Sequence, residues 1–265
     1  ALRSRLDGRR ILGGRWFETL HRSSAGRVTA VGFRGGEQIA ADLVFGADGA
    51  VSRCRRALLE RPGEPWMPGA AAQVQEIVAL VRDPALVARL GTEMLKIVVP
   101  GAGVAVGLLP LSRGRLVWFV QFDTARHGRP AAAGPMAFLE TLLRPFPPWL
   151  REMVAATESG HPHHWRPLDL DPPTRLVGAN IALLGDAAHP LLPFTSQGLN
   201  LALEDAWLLR DLLRNAADPA AIEAALLTYE RQRLPLLRHY VAAGRGMAAA
   251  FVALGPDRGL LPVAT

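Results

Sequence analysis

Residues 185–206 read GDAAHPLLPFTSQGLNLALEDA and follow four apolar residues at 181–184. A buried strand that ends on Gly185 and Asp186 projects a carboxylate from the carboxyl edge of a sheet, where ligands of α/β sheets bind. A lone carboxylate there accepts hydrogen bonds from sugar or polyol hydroxyls. Gly198 precedes a helical pattern, and its missing side chain lets a flat ligand approach the backbone. The N–H groups of Leu199 and Asn200 then open the helix, at the end whose partial positive charge is worth up to about 2 kcal/mol to an anion. Polyol acceptor, close backbone and positive helix end together suit a flavin with its ribityl chain. Taken alone, each element favours an ordinary strand–loop–helix with Asp186 as a cap; the combined spacing does not.

A second stretch, GADGAVSRCRRAL at 46–58, also follows an apolar strand. Asp48 and Gly49 suit a tight turn, and Ser52 and Arg55 lie three apart on the helix that follows. The plain alternative is an Asp-Gly turn with a serine cap. Other constellations are poorer. Pro162 and Trp165 interrupt any metal geometry for His161, His163 and His164, no cysteine assists them, and no metal site is expected. There is no GxSxG elbow of a hydrolase. GAGVAVG at 101–107 follows a strand but runs into Leu108, Leu109 and Pro110, which start a helix badly. It reads as a hairpin turn and not as a pyrophosphate loop, which needs a following helix. Trp118 and Phe119 point to opposite faces of their strand, so at most one lines a substrate cavity.

The elements that must position these residues alternate in type. Residues 27–33 and 38–45 read as two strands joined at Gly35-Gly36, with consecutive apolar residues at 43–45 as in a strand covered on both faces. Residues 62–71 are a linker by composition. The span 72–122 is mostly β, 135–158 is helical with breaks at Pro145, Pro147 and Pro148, and 161–173 is extended. A helix is expected over 199–214 and one or two more over 220–254. Net charge is +6, and of 30 basic residues only Lys96 is a lysine. The arginines are dispersed with no basic block, which argues against nucleic acid. No apolar run approaches the roughly 18 residues of a membrane span, and no signal peptide is visible. The single Cys54 excludes a disulfide framework and fits a reducing cytosol, so a cytoplasmic location is expected.

GADGAVSRCR resembles the Asp-Gly motif of the flavoprotein aromatic hydroxylases, the p-hydroxybenzoate hydroxylase family, and GDAAHPLLPFTSQGLNLALEDA resembles their Gly-Asp flavin motif. Order, separation and the β-rich insertion match as well. The resemblance implies an α/β fold with an α+β insertion. A Rossmann-like FAD-binding layer would be formed by 1–65 and 166–215, a mostly antiparallel substrate domain by 66–165, and C-terminal helices by 216–265. It implies FAD held by Asp48, Gly49, Arg55, Gly185, Asp186, Gly198, Leu199 and Asn200. Asp186 would meet a ribityl hydroxyl, the backbone of Leu199 and Asn200 the flavin pyrimidine, and Asp48 and Arg55 the approach of NAD(P)H. Pro193, Ser196 and Gln197 would border the reacting carbon, with Ser196 where many members carry glycine.

The activity implied is hydroxylation of a small aromatic or quinone-like molecule with NAD(P)H and O2 through a flavin hydroperoxide. A reductase of the same fold, of the prenyl-chain type, is an alternative; a halogenase lacks support because WxWxIP is absent. Family members open with a strand, a GxGxxG turn and a helix that hold the ADP half of FAD. Here ALRSRLDGRR instead resembles a helix about a hundred residues into a full-length member. The expectation is therefore a chain that binds FAD poorly alone, as a homodimer or with a separate N-terminal polypeptide, or a non-catalytic truncated chain.

Overall fold

The computed structural model describes residues 11–59, 69–131, 134–157 and 162–253. The opening ALRSRLDGRR, most of the 62–71 linker and His161 lie outside these residues. Along the chain run β1 (Phe17–Arg22), β2 (Val28–Phe33), β3 (Gln38–Ala40), β4 (Val44–Gly46) and α1 (Arg53–Leu59). Next come β5 (Ala70–Ala71), β6 (Val74–Arg82), α2 (Pro84–Leu90), β7 (Leu95–Val99), β8 (Val104–Pro110) and β9 (Arg115–Asp123). Helices α3 (Thr124–His127), α4 (Met136–Leu142) and α5 (Pro148–Ala155) lead to β10 (His163–Trp165) and β11 (Leu168–Asp169). The chain ends with β12 (Val177–Gly178), β13 (Ile181–Leu183), α6 (Gly198–Leu213) and α7 (Pro219–Ala253). It divides into two compact units, 1–68 with 172–189 and 199–237, and 69–171 with 190–198 and 238–265.

In the first unit β13 lies between β12 and β4, parallel to β4 with Ile181 opposite Val44 and Leu183 opposite Gly46. All three residues of β13 are fully buried. A hairpin of β1 and β2 adds β3 in a separate three-stranded sheet. The single strand expected over 38–45 is thus two strands in two sheets. Asn180 causes the break. Its side-chain amide donates to the carbonyls of Val28 at 2.8 Å and Asp42 at 2.9 Å, its Oδ1 accepts from Val28 N at 2.8 Å, and its own carbonyl receives Val44 N at 2.9 Å. The chain is pulled out of the first sheet at Asp42 and delivered to the second at Val44. Nor is β4 covered on both faces: it is the edge of its sheet among the described residues, and Phe45 is 46% exposed.

In the second unit five antiparallel strands run in the order β10-β6-β9-β8-β7. Period-two alternation separates two faces. Ile77, Val81, Val104, Val106, Leu108, Leu116, Trp118, Val120 and Phe122 point to one face and pack with Leu139, Leu142, Leu150 and Val154 of α4 and α5. Trp118 is thereby a core residue, its indole N–H donating to Thr157 Oγ1 at 3.0 Å. Phe119 points the other way, over Gly107. The GAGVAVG stretch forms the β7–β8 turn and the start of β8, as its missing helix required. Gly101 and Gly103 take left-handed backbone at φ 76° and 64° there. The segment 84–90, unassigned from sequence, is α2, started by Asp83 accepting from Leu86 N at 2.9 Å.

Asn180 is buried and makes three side-chain hydrogen bonds. Asn180→Ala leaves their partners unsatisfied and should lower unfolding free energy by about 2–3 kcal/mol, read by urea denaturation.

Candidate functional site

The two sequence stretches meet in the first unit. Strand β13 ends, Leu184 is extended, and a single 3-10 turn covers Gly185–Ala187. Gly185 sits at φ 57°, in the left-handed region that glycine reaches without strain. Its N–H donates to Asp205 Oδ2 at 2.9 Å. Asp205 comes from α6 and is fully buried. The same Oδ2 lies 2.6 Å from His189 Nε2, and Oδ1 accepts from Arg233 Nε of α7 at 2.7 Å. Arg233 also donates to the Leu201 carbonyl at 3.1 Å and to Glu204 at 2.9 Å. The Tyr229 hydroxyl donates to the Leu183 carbonyl at 2.9 Å. Burial by itself would raise the Asp205 carboxyl; the hydrogen bonds from His189 and Gly185 and the Arg233 charge outweigh it and hold the group below its ordinary range. Burial, then the Asp205 charge, pushes the Tyr229 hydroxyl upward.

Arg55 ties the other stretch to this turn. It is buried, with Nε donating to the Ala187 carbonyl at 2.7 Å and a terminal nitrogen to the Asp186 carbonyl at 3.3 Å. Burial lowers its guanidinium to about 10, partly offset by Asp48 and Asp186. Asp48 caps α1: Oδ2 accepts from Arg53 N at 2.8 Å and Cys54 N at 3.0 Å, and Ser52 donates to Oδ1. Gly49 takes φ 80°, as an Asp-Gly turn requires. Burial pushes the Cys54 thiol up to about 12, so it is no nucleophile at neutral pH.

The Asp186 carboxylate differs from these groups. It is exposed and has neither a hydrogen bond nor an ion pair among the described residues, while its backbone carbonyl is held by Arg55. Farther on, Leu199 is 72% exposed at the start of α6, and a Cβ on Gly198 would meet nothing within 4 Å.

The second unit carries the remaining candidates. Pro193 begins a 3-10 turn over Pro193–Thr195, and Ser196 N returns to the Pro193 carbonyl at 3.1 Å. Ser196 adopts φ 54°, a left-handed conformation that explains why glycine suits the position. Gln197 N reaches Thr195 Oγ1 at 3.5 Å. On the sheet, Glu76 and Gln121 are buried and joined at 2.5 Å. Burial raises the Glu76 carboxyl to about 7, against the Gln121 hydrogen bond and the Lys96 charge. His164 Nε2 is 2.8 Å from Gln75 Oε1, on the opposite face from Glu76.

Sequence reasoning missed Asp205, Arg233, Tyr229, Glu76 and Gln121. A signal existed for Asp205: it lies four residues from Leu201 and four from Leu209, on the buried stripe of α6.

Removing Asp205 takes from buried Arg233 its buried carboxylate partner and leaves it only the exposed Glu204 and the Leu201 carbonyl, so Asp205→Ala should cost about 3 kcal/mol in urea unfolding. Asp186→Ala should change stability by less than about 0.5 kcal/mol, as at any exposed side chain without a partner. The pH dependence of stability isolates Glu76. Its folded value exceeds the unfolded one, so its contribution is fully present below about 4.5 and is lost as pH rises to about 7. The loss is up to about 3 kcal/mol. Glu76→Gln should flatten this part of the stability–pH curve relative to wild type.

A family model described as FAD binding domain matches residues 16–243. The 3-amino-4-hydroxybenzoate 2-monooxygenase of Streptomyces cremeus is 34% identical over 225 residues, covering 83% of this chain and 52% of that protein. An FAD-dependent urate hydroxylase of Klebsiella pneumoniae is 32% identical over 230 residues, covering 81% of this chain and 53% of the relative. The crystal structure of Klebsiella pneumoniae HpxO complexed with FAD and uric acid superimposes with a TM-score of 0.77 at 28% identity, covering 91% of this chain and 59% of that one. The chain thus spans about half the length of the curated relatives it matches. With a family match over most of its length and relatives above 30% identity across four-fifths of it, the chain belongs to the FAD binding domain family.

Proposed function

We propose that this chain supplies flavin-binding and substrate-holding elements of an FAD-dependent monooxygenase that hydroxylates an aromatic or quinone-like small molecule with NAD(P)H and O2. The observation that carries the reading is the unpaired Asp186 carboxylate on a turn whose carbonyls and Gly185 amide are engaged. The Gly185 amide, the Asp186 carbonyl and the Ala187 carbonyl are all engaged inside the unit, which leaves one acceptor turned outward. A polyol chain needs such an acceptor, and its hydroxyls would donate to it.

The residues present fit the flavin half of the cofactor. Asp186 would take a ribityl hydroxyl. The open backbone at Gly198 and the first turn of α6 at Leu199 and Asn200 would face the flavin pyrimidine, where amide donors favour negative charge. Arg55 would hold the Gly-Asp turn in shape and lend positive charge close to Asp186, while Asp48 would fix Arg55's helix. Pro193, Ser196 and Gln197 would shape the loop beside the reacting ring. When bound, FAD would supply the redox chemistry that passes electrons from NAD(P)H to dioxygen. The protein's share is to orient the ring, exclude water and stabilise charge. The five-stranded sheet would hold the aromatic substrate. The relatives named as monooxygenases and hydroxylases of aromatic compounds support this assignment.

The test is FAD titration followed by flavin absorbance and fluorescence quenching. Asp186→Ala should weaken FAD binding by about 1–3 kcal/mol, the range of a hydrogen bond to a charged group, with the unfolding midpoint unchanged. Equal affinity in the variant would remove Asp186 from the site.

A further inference from the structure

We propose that the cleft between α4 and α5, on the helical layer of the second unit, binds a linear acyl chain that ends in a carboxylate. The cleft has a volume of about 350 Å³, inside the range of roughly 300–1,000 Å³ for small-molecule sites. Local sequence makes it. Helix α4 stops at Leu142, and Pro145, Pro147 and Pro148 bar it from continuing. Phe146 is buried in the core and anchors the corner, and Pro148 starts α5 where its missing N–H costs nothing. Leu139, Leu143 and Val154 form a buried apolar floor, and Met136 and Ala155 add partly exposed apolar surface. Met136, Leu139 and Leu143 follow at spacings of three and four, which is a stripe along one helix face. The apolar lining is therefore elongated and fits an extended chain, and the flexible Met136 side chain adapts to its shape.

The charged groups at the rim set the ligand's sign. Glu140, Arg144 and Arg151 line the mouth, and all three are exposed. Glu140 and Arg144 are four residues apart, the spacing that pairs a carboxylate with a guanidinium on a helix. Because α4 ends at Leu142, Arg144 lies beyond the last turn and that pair does not form. Arg151 has Pro147, Pro148, Val154 and Ala155 at the neighbouring helical positions, so no carboxylate of its own helix meets it. None of the three has a side-chain hydrogen bond or an ion pair among the described residues. Two guanidinium groups against one carboxylate leave the rim positive. A guanidinium presents paired N–H donors that match a carboxylate, and the apolar floor favours methylene groups over a hydrated inorganic ion. The complementary molecule has a carboxylate head and an alkyl tail.

The experiment is calorimetric titration of the full chain with octanoate and octanamide, two chains of equal length that differ in charge. Octanoate should bind at least about fivefold more tightly, as two exposed ion pairs together provide. Hexanoate should bind at least about threefold more weakly than octanoate, because it buries two fewer methylene groups. Arg144→Gln combined with Arg151→Gln should abolish the preference for octanoate over octanamide, and Arg144→Lys combined with Arg151→Lys should keep it. Both positions are exposed, so the unfolding midpoints should not move. No binding of octanoate, equal affinity for octanoate and octanamide, a preference that survives the double glutamine variant, or affinity independent of chain length overturns the proposal. Saturating FAD should leave these affinities unchanged, whether or not the proposed function holds. Displacement of octanoate by FAD would put the chain in the flavin site and would also overturn the proposal.

Discussion

The buried carboxylate of Asp205 joins three parts of the first unit. It receives the Gly185 amide at the end of β13, the ring of His189 in the following loop and the guanidinium of Arg233 on α7. An ionised group removed from water is tolerable only when its oxygens are fully hydrogen-bonded and its charge is matched. Both oxygens are bonded here, and Arg233 is itself held by the Leu201 carbonyl and Glu204. The energetic demand of Asp205 therefore fixes where β13 stops and which way the next turn opens. With Tyr229 bonded to the Leu183 carbonyl and Arg55 to the carbonyls of Asp186 and Ala187, the Gly-Asp turn has little freedom. The Asp186 side chain takes no part in these bonds and is left exposed.

The second unit uses a different constraint. A five-stranded sheet has two faces, and one is closed by the apolar packing of α4 and α5. The other is divided. At one end Val74 and Ala105 pack with Leu192, Phe194 and Phe251. Beside them Glu76 and Gln121 place a buried, hydrogen-bonded polar pair on the same face.

Much of this was legible because local chemistry left periodic marks. The Gly-Asp turn, the glycine that opens α6, the Asp-Gly turn before α1 and the hairpin at GAGVAVG follow from residue types whose backbone demands are narrow. The antiparallel insertion followed from alternation. What escaped depended on distant partners. Asn180 looks like an ordinary residue before a strand, yet its contacts reach residues about 140 to 150 positions away and split the strand expected at 38–45. Nothing in the loop sequence around His189 announces its partner; the structure pairs it with Asp205 in the interior. Asp205 itself reads as a helix-surface residue unless its place on the Leu201–Leu209 stripe is noticed. Glu76 and Gln121 gain meaning only from register, because pairing β6 with β9 brings them together.

Asp205 pins the Gly185 amide and thereby shapes the turn that presents Asp186. Backbone hydrogen exchange at Gly185 tests it directly. A loop amide in contact with water exchanges at the rate of the unfolded chain, whereas an amide bonded to a buried carboxylate exchanges only through opening of the unit. Gly185 should be protected as strongly as the buried β13 residues Ile181–Leu183, and Asp205→Asn should reduce this protection. Unprotected exchange at Gly185 in the wild-type protein would contradict it.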